Sequence, residues 1–284
     1  MCCGEIDVQR ITETVERIYH DINFNLREDV LAALNKALQI EESETGREII
    51  RQILENASLS IKQKLPLCQD TGVAVVFVQI GQDVHLVGGD LAEAVNEGVR
   101  RARARGYLRA SLVRHPLDRE NTGDNTPAML HVELVPGRKI AIDVVARGAG
   151  GENCGRVKML SPSDGKDGVV DFVLDTVRQN GANACPPLVV GVGIGGTQDV
   201  AALITKKAFL RDINEPSPDP ICAELEDRLL GRINALGVGP QGLGGRVTAL
   251  AVLVEARPCH IASLPVCVNL MCHSFRHGHA ELKT

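Results

Sequence analysis

The stretch that most limits how this chain can fold is Val73 to Ile80, VAVVFVQI, a run of aliphatic and aromatic residues broken only by Gln79 and closed by Gly72 and Gly81. It is far shorter than the roughly 18 apolar residues of a membrane-spanning helix. It also lacks the polar alternation of a strand with one wet face, so it predicts a strand buried on both sides. Leu188 to Ile194, LVVGVGI, predicts a second. Strands of this kind must be covered by other elements, which points to a mixed α/β or α+β fold. The covering core has to be aliphatic, because the 284 residues include no Trp, two Tyr and five Phe. That supply is too small for the aromatic platforms on which single-stranded nucleic acids stack, and a formal charge of −5 disfavours a phosphate-backbone partner. Neither a nucleic-acid partner nor a membrane span is expected.

Residues 1 to about 65 read as helical, since Ile6, Ile11, Val15, Ile18 and Ile22, then Val30, Leu31, Leu34 and Leu38, then Ile49, Ile50, Ile53 and Leu54 recur at helical spacing. Asp90 followed by Glu93 predicts a capping box for a helix with Leu91, Val95 and Val99 inside, arginines in its last turn and a stop at Gly106. Met129–Leu134 and Lys139–Val145 flank Pro136-Gly137 and predict a hairpin. Further helices are expected around Val169–Val177, Gln198–Leu210 and Ile221–Leu236, with strand-like runs at Val247–Val254 and Ala262–Asn269. The fold class expected is mixed α/β (α+β): a helical N-terminal part, then small mixed sheets flanked by helices, in one compact unit without repeat or linker.

Five segments rich in polar, Gly and Pro residues resist explanation as ordinary loops: Leu67–Gly72; Leu108–Ser111 with Asn121–Pro127; Arg147–Asn153; Ala184–Pro187 with Gly193–Thr197; and Cys259–Ser263 running to Met271–His273. Several follow predicted buried strands, where open sheets place their ligand sites. The string Gly191 to Gly196 satisfies G-x-G-x-x-G and raises a dinucleotide-binding alternative. No acidic ribose partner on a following strand stands within about twenty residues, so tight helix–sheet packing is the favoured account. Nine cysteines in a chain this large indicate a reducing compartment, with either inert burial or metal chemistry. Cys2 and Cys3 lie at the terminus and Cys222 in an amphipathic helix, whereas Cys68, Cys185 and Cys272 each sit in one of the unusual segments. Their wide separations match no short zinc-finger or ferredoxin spacing, and Cys267 stands as a rival third ligand. An N-terminus that turns into a charged amphipathic stretch, without an apolar signal core, leads to the expectation of a cytoplasmic protein.

Taken together, C-Q-D-T-G (Cys68–Gly72), L-R-A-S (Leu108–Ser111), N-T-G-D-N-T-P (Asn121–Pro127), G-A-G-G-E-N (Gly148–Asn153), A-C-P-P with G-V-G-I-G-G-T, and H-I-A-S followed by M-C resemble, in order along nearly the whole chain, the iron–sulfur class I fumarases. The likeness is to the α part of the two-subunit kind, with two-subunit L(+)-tartrate dehydratases as close relatives. It implies that 1–284 is one hydro-lyase catalytic domain. It also implies a [4Fe–4S] cluster held by Cys68, Cys185 and Cys272, with one iron left open as a Lewis acid. By the same resemblance Gln69, Arg109 and Gly150 bind substrate, and Asp70 and His260 are catalytic. Without it, Arg109 reads as a surface charge and His260 as a satisfied polar residue. The chain departs from the family pattern at Arg147, Ala149 and Gly151, where lysine, glycine and serine are usual. The resemblance further implies a β-type subunit completing the site, as α₂β₂, and a dicarboxylate substrate: fumarate hydrated to L-malate as in the tricarboxylic acid cycle, or alternatively L(+)-tartrate or a related hydroxy-diacid.

Overall fold

A computed structural model describes residues 4–284; Cys2 and Cys3 lie outside the described residues. In chain order the elements are β1 (Gly4–Asp7), α1 (Val8–Phe24), α2 (Glu28–Ile40), α3 (Glu44–Gln63), β2 (Val73–Gly81), β3 (Val84–Val87), α4 (Leu91–Gly106), β4 (Met129–Val135), β5 (Lys139–Arg147), α5 (Ala149–Asn153), β6 (Arg156–Leu160), α6 (Gly165–Asn180), β7 (Leu188–Gly195), α7 (Gln198–Ala208), α8 (Pro220–Asn234), β8 (Ala249–Arg257), β9 (Leu264–Met271) and β10 (His277–Lys283). The class is α/β with small mixed sheets and no barrel. The chain divides into two compact units. The first takes the chain up to Leu26, then Ala57–Gly148 and Arg276–Thr284; the second takes Arg27–Asn56 and Ala149–Phe275. Each is assembled from separated segments and one boundary falls inside α3, so no change of composition announces the division.

The first unit is built on a four-stranded sheet in the order β10-β5-β2-β4, with β2 parallel to β4 and antiparallel to β5. Val76 and Val78 of β2, with Ile142 and Val144 of β5, face Ile11, Val15, Ile18 and Ile22 of α1 and Val95 and Val99 of α4 in one aliphatic core. Each such side chain contributes about 1.5–3 kcal/mol on burial. Helices α1 and α4 pack closely because α4 carries Gly98, where a Cβ would stand 2.7 Å from Thr12 O. Asp90 caps α4 by accepting from Glu93 N at 2.9 Å. Three expectations need correction here. Ile6 belongs not to a helix but to β1, paired in parallel with β3, because Asp7 caps α1 through Gln9 N at 2.8 Å and starts the helix one residue later. The left-handed residue ending α4 is Tyr107 (φ 52°), not Gly106, which is the last helical residue. β4 and β5 do not form a hairpin: β2, the most apolar strand, lies between them and pairs with both. The Pro136-Gly137 turn crosses the end of β2, where Gly81 leaves room and Gln82 N donates to Val135 O at 2.8 Å.

The second unit repeats this wiring in the order β6-β9-β7-β8, with β7 parallel to β8 and antiparallel to β9. Val190 and Val192 of β7 and Val268 of β9 share a core with Val170, Val173 and Val177 of α6 and Leu229 and Ile233 of α8. α7 lies directly on β7. A Cβ on Gly193 would be 2.2 Å from Ala201 O, and one on Gly191 would be 2.7 Å from the Phe209 ring. Glu41, buried at the α2–α3 corner, accepts from the backbone N–H of Glu42, Ser43, Arg246 and Val247 at 2.7–2.9 Å. It thereby ties that corner to the loop before β8.

Candidate active site

In the first unit, the segment Cys68-Gln69-Asp70 is held at both ends. Leu67 N donates to Asn23 O at 2.8 Å. Gly72 O accepts from Tyr19 Oη at 2.9 Å and from Asn125 Nδ2 at 3.0 Å. The stretch after α4 docks on the same segment: Arg109 N donates to Thr71 Oγ1 at 2.9 Å, and Ser111 N donates to Asn125 Oδ1 at 2.8 Å. Gly148, at the end of β5, lies beside them; a Cβ there would stand 3.1 Å from Asp70 Oδ2 and 3.5 Å from Arg276 Nη2. Asp70 Oδ1 accepts from Gly72 N at 3.0 Å. C-Q-D-T-G, L-R-A-S, N-T-G-D-N-T-P and the start of the glycine-rich turn therefore meet within one unit. Cys68 and Asp70 are half-buried, while Gln69 and Arg109 are exposed. Thr71, Tyr19, Asn23, Asn125, Arg147 and Arg276 beneath them are buried. Burial raises the pKa of the Tyr19 phenol above its ordinary value, so it stays a neutral donor.

In the second unit, Cys185 is exposed and takes a left-handed backbone (φ 56°) after the 3-10 turn Gly181–Ala184. Cys272 follows β9, half-buried, with Sγ 3.0 Å from Ser274 Oγ. The two segments touch: His273 N donates to Cys185 O at 3.4 Å, and His273 Nδ1 is 3.2 Å from the same carbonyl. Gln241 N donates to Pro186 O at 2.8 Å. Gly150 is exposed in α5, and Gly151 is buried where a Cβ would be 2.3 Å from Leu270 O, which explains why no serine stands there. His260 sits exposed in the turn after β8, its Nδ1 accepting from Ala262 N at 3.1 Å. The structure brings Cys185 and Cys272 together in this unit, and Cys68, Gln69, Asp70 and Arg109 together in the other.

The thiols fall into two chemical classes. Cys154, Cys222 and Cys267 are buried, and burial pushes their pKa up, that of Cys222 to about 11. Cys68 and Cys272 are half-buried, and Cys185 and Cys259 are exposed. Among the described residues, no three His, Cys, Asp or Glu side chains are close enough to share a single metal ion.

The sequence profile of the fumarate hydratase (Fumerase) family matches residues 12–281, nearly the whole chain. The chain belongs to the fumarase family. A Methanocaldococcus jannaschii protein provisionally named L(+)-tartrate dehydratase subunit alpha is 41% identical over 281 residues, covering 96% of this chain and 98% of that protein. The L(+)-tartrate dehydratase subunit alpha of Escherichia coli O157:H7 is 36% identical over 283 residues, covering 97% of this chain and 93% of that protein; the K12 protein of the same name is 35% identical over the same span. This fumarase-family chain is accordingly a hydro-lyase. Its Gly191–Gly196 string serves packing, since Gly191 and Gly193 lie under α7, and a Cβ on Gly195 would be 1.9 Å from Arg257 O. Among the described residues no helix is long and apolar enough to cross a membrane. Sequence reasoning missed Tyr19, Asn23 and Arg276. Only Tyr19 and Asn23 carried a signal: they continue the buried stripe of Ile11 and Val15 at four-residue spacing, as polar residues on a core face.

Proposed function

We propose that this chain is the cluster-bearing α subunit of a two-subunit hydro-lyase that interconverts fumarate and L-malate, with 1–284 as one catalytic domain. What supports the reading most is the convergence, in one unit, of an accessible thiol, a carboxylate and an exposed arginine whose backbones are fastened to one another by Thr71 and Asn125. The donor chemistry of Cys68, Cys185 and Cys272 fits a [4Fe–4S] cluster: they are soft ligands outside the aliphatic cores, and each would hold a separate iron, so they would not need to meet at one point. When bound, such a cluster supplies a Lewis-acidic iron to the substrate's oxygens.

The chain's own residues do the rest. The Arg109 guanidinium forks onto one carboxylate of the diacid, and the Gln69 amide hydrogen-bonds to it. Gly150 lets the backbone approach where a side chain would intrude. In dehydration a proton leaves the carbon next to a carboxylate and hydroxide leaves its neighbour as water; Asp70 and His260 are the proton-handling groups on this chain, and hydration runs the same steps in reverse. A β-type subunit completes the pocket, as α₂β₂, in the cytoplasm. The names of the relatives favour a second reading for the same site, in which L(+)-tartrate or a related hydroxy-diacid is the substrate.

The test is anaerobic co-purification with a β-type subunit, followed by iron and sulfide analysis and electron paramagnetic resonance after mild oxidation. The proposal expects a [3Fe–4S] signal that ferrous iron abolishes, and its loss in each of Cys68→Ser, Cys185→Ser and Cys272→Ser. Loss in Cys267→Ser with retention in Cys272→Ser would overturn the ligand assignment.

A further inference from the structure

Beneath the Cys68–Gly72 segment lies a set of buried polar side chains that the proposed chemistry does not use. Tyr19 and Asn23, both fully buried, project from α1, and Asn125, also fully buried, comes from the N-T-G-D-N-T-P loop. Their bonds form a closed circuit. Tyr19 Oη spends its one proton on Gly72 O at 2.9 Å and accepts from Asn125 Nδ2 at 3.1 Å. The same Nδ2 donates to Gly72 O at 3.0 Å, and Asn125 Oδ1 accepts from Ser111 N at 2.8 Å. Asn23 Nδ2 donates to Tyr19 O at 2.8 Å, Asn23 Oδ1 accepts from Arg276 Nη1 at 2.8 Å, and Asn23 O accepts from Leu67 N at 2.8 Å. Buried donors and acceptors are paired in the large majority of cases, and such networks fix one arrangement of the groups they bind. The network grips the chain at Gly72, and the Asn23 carbonyl grips it at Leu67, so both sides of Cys68-Gln69-Asp70 are held. It grips Ser111 as well, while Thr71 holds Arg109.

We infer that Tyr19 and Asn125 are positioning residues: they set the spacing between the Cys68–Asp70 segment and Arg109, and touch neither substrate nor cluster. This rests on the proposed function for the roles of the residues being positioned. Tyr19→Phe removes one hydroxyl and keeps the ring. Thr12→Val is its control, because Thr12 is also buried on α1 and bonds Ala94 O at 3.0 Å, on the side of α4.

The experiment compares wild type, Tyr19→Phe, Asn125→Ala and Thr12→Val, each assembled with the β-type subunit, by steady-state kinetics and by hydrogen exchange read over the peptide containing residues 67–72. With wild-type thermal stability lowered to a similar degree by Tyr19→Phe and Thr12→Val, the expected result is faster exchange over 67–72 in Tyr19→Phe alone of that pair. A fall of about tenfold in kcat, larger than any change in KM, accompanies it. Asn125→Ala extends both effects to Arg109, raising KM too. Equal exchange over 67–72 in Tyr19→Phe and Thr12→Val, or kinetics indistinguishable between them, overturns the inference. Should the wild-type pair turn over neither diacid, the proposed function fails, and the exchange comparison still decides the positioning role.

Discussion

In the unit built on β2, the segment bearing Cys68 is fastened at Gly72 by side chains that reach it from elsewhere in the sequence, Tyr19 from α1 and Asn125 from a distant loop, while the Asn23 carbonyl of α1 holds it at Leu67. In the unit built on β7, the segments bearing Cys185 and Cys272 are set mainly through backbone: a left-handed residue at 185, carbonyls that meet the N–H groups of His273 and Gln241 with those residues' own side chains beside them, and glycines that let α5 and α7 press against strands. The two sheets are wired alike, with a central strand flanked by a parallel edge strand and an antiparallel inner one. Shared topology therefore does not dictate how a loop is held. A segment fastened by side chains fails when a polar atom is removed; one fastened by close backbone contact fails when a carbon atom is added.

The largest expected effect breaks the second kind of fastening. Gly193→Ala places a methyl 2.2 Å from Ala201 O and 2.3 Å from Thr205 Oγ1, and should cost more than about 3 kcal/mol or prevent folding, as read by denaturant unfolding; a loss under 1 kcal/mol would show that α7 can lift off β7 freely. Asn125→Ala strikes the first kind. It leaves Ser111 N and one acceptance at Gly72 O unpaired, and should cost about 2–3 kcal/mol, with hydrogen exchange rising in the first unit and not in the second.

Glu41 sharpens the comparison, because it is a side-chain clamp inside the second unit. Desolvation raises its pKa, but four backbone N–H groups outweigh that and hold the carboxyl below the usual glutamate range. A depressed folded pKa gives stability that is present above the ordinary value of about 4.3 and lost as pH falls through the folded value. Glu41→Gln should cost about 1–2 kcal/mol near neutrality and flatten the loss of stability on acidification. An unchanged acid limb would remove Glu41 from the account. The smallest effect marks the baseline: Arg51→Ala, which breaks an exposed ion pair with Glu48, should change stability by less than about 0.5 kcal/mol.

The same contrast explains what could be read in the sequence. The central strands β2 and β7 and the cap of α4 were visible because each is a local pattern. The β4–β5 hairpin was not real, since a turn signal says nothing about a third strand inserted between two others. β10 was missed because its residues, HGHAELK, alternate polar with Gly, Ala and only one large apolar residue, Leu282. The motif-bearing residues of the candidate site stood out as strings. The Tyr19–Asn23–Asn125 network did not: Asn125 stood in one of those strings, but nothing local links it to Tyr19 and Asn23, more than a hundred residues earlier.

The most direct test of the central claim is the turnover of fumarate and of L(+)-tartrate by the anaerobically prepared chain, first alone and then with a β-type subunit. The account predicts no turnover by the chain alone and hydro-lyase activity on one of the two diacids by the pair. Activity of the isolated chain, or inactivity of the cluster-loaded pair on both diacids, would contradict it.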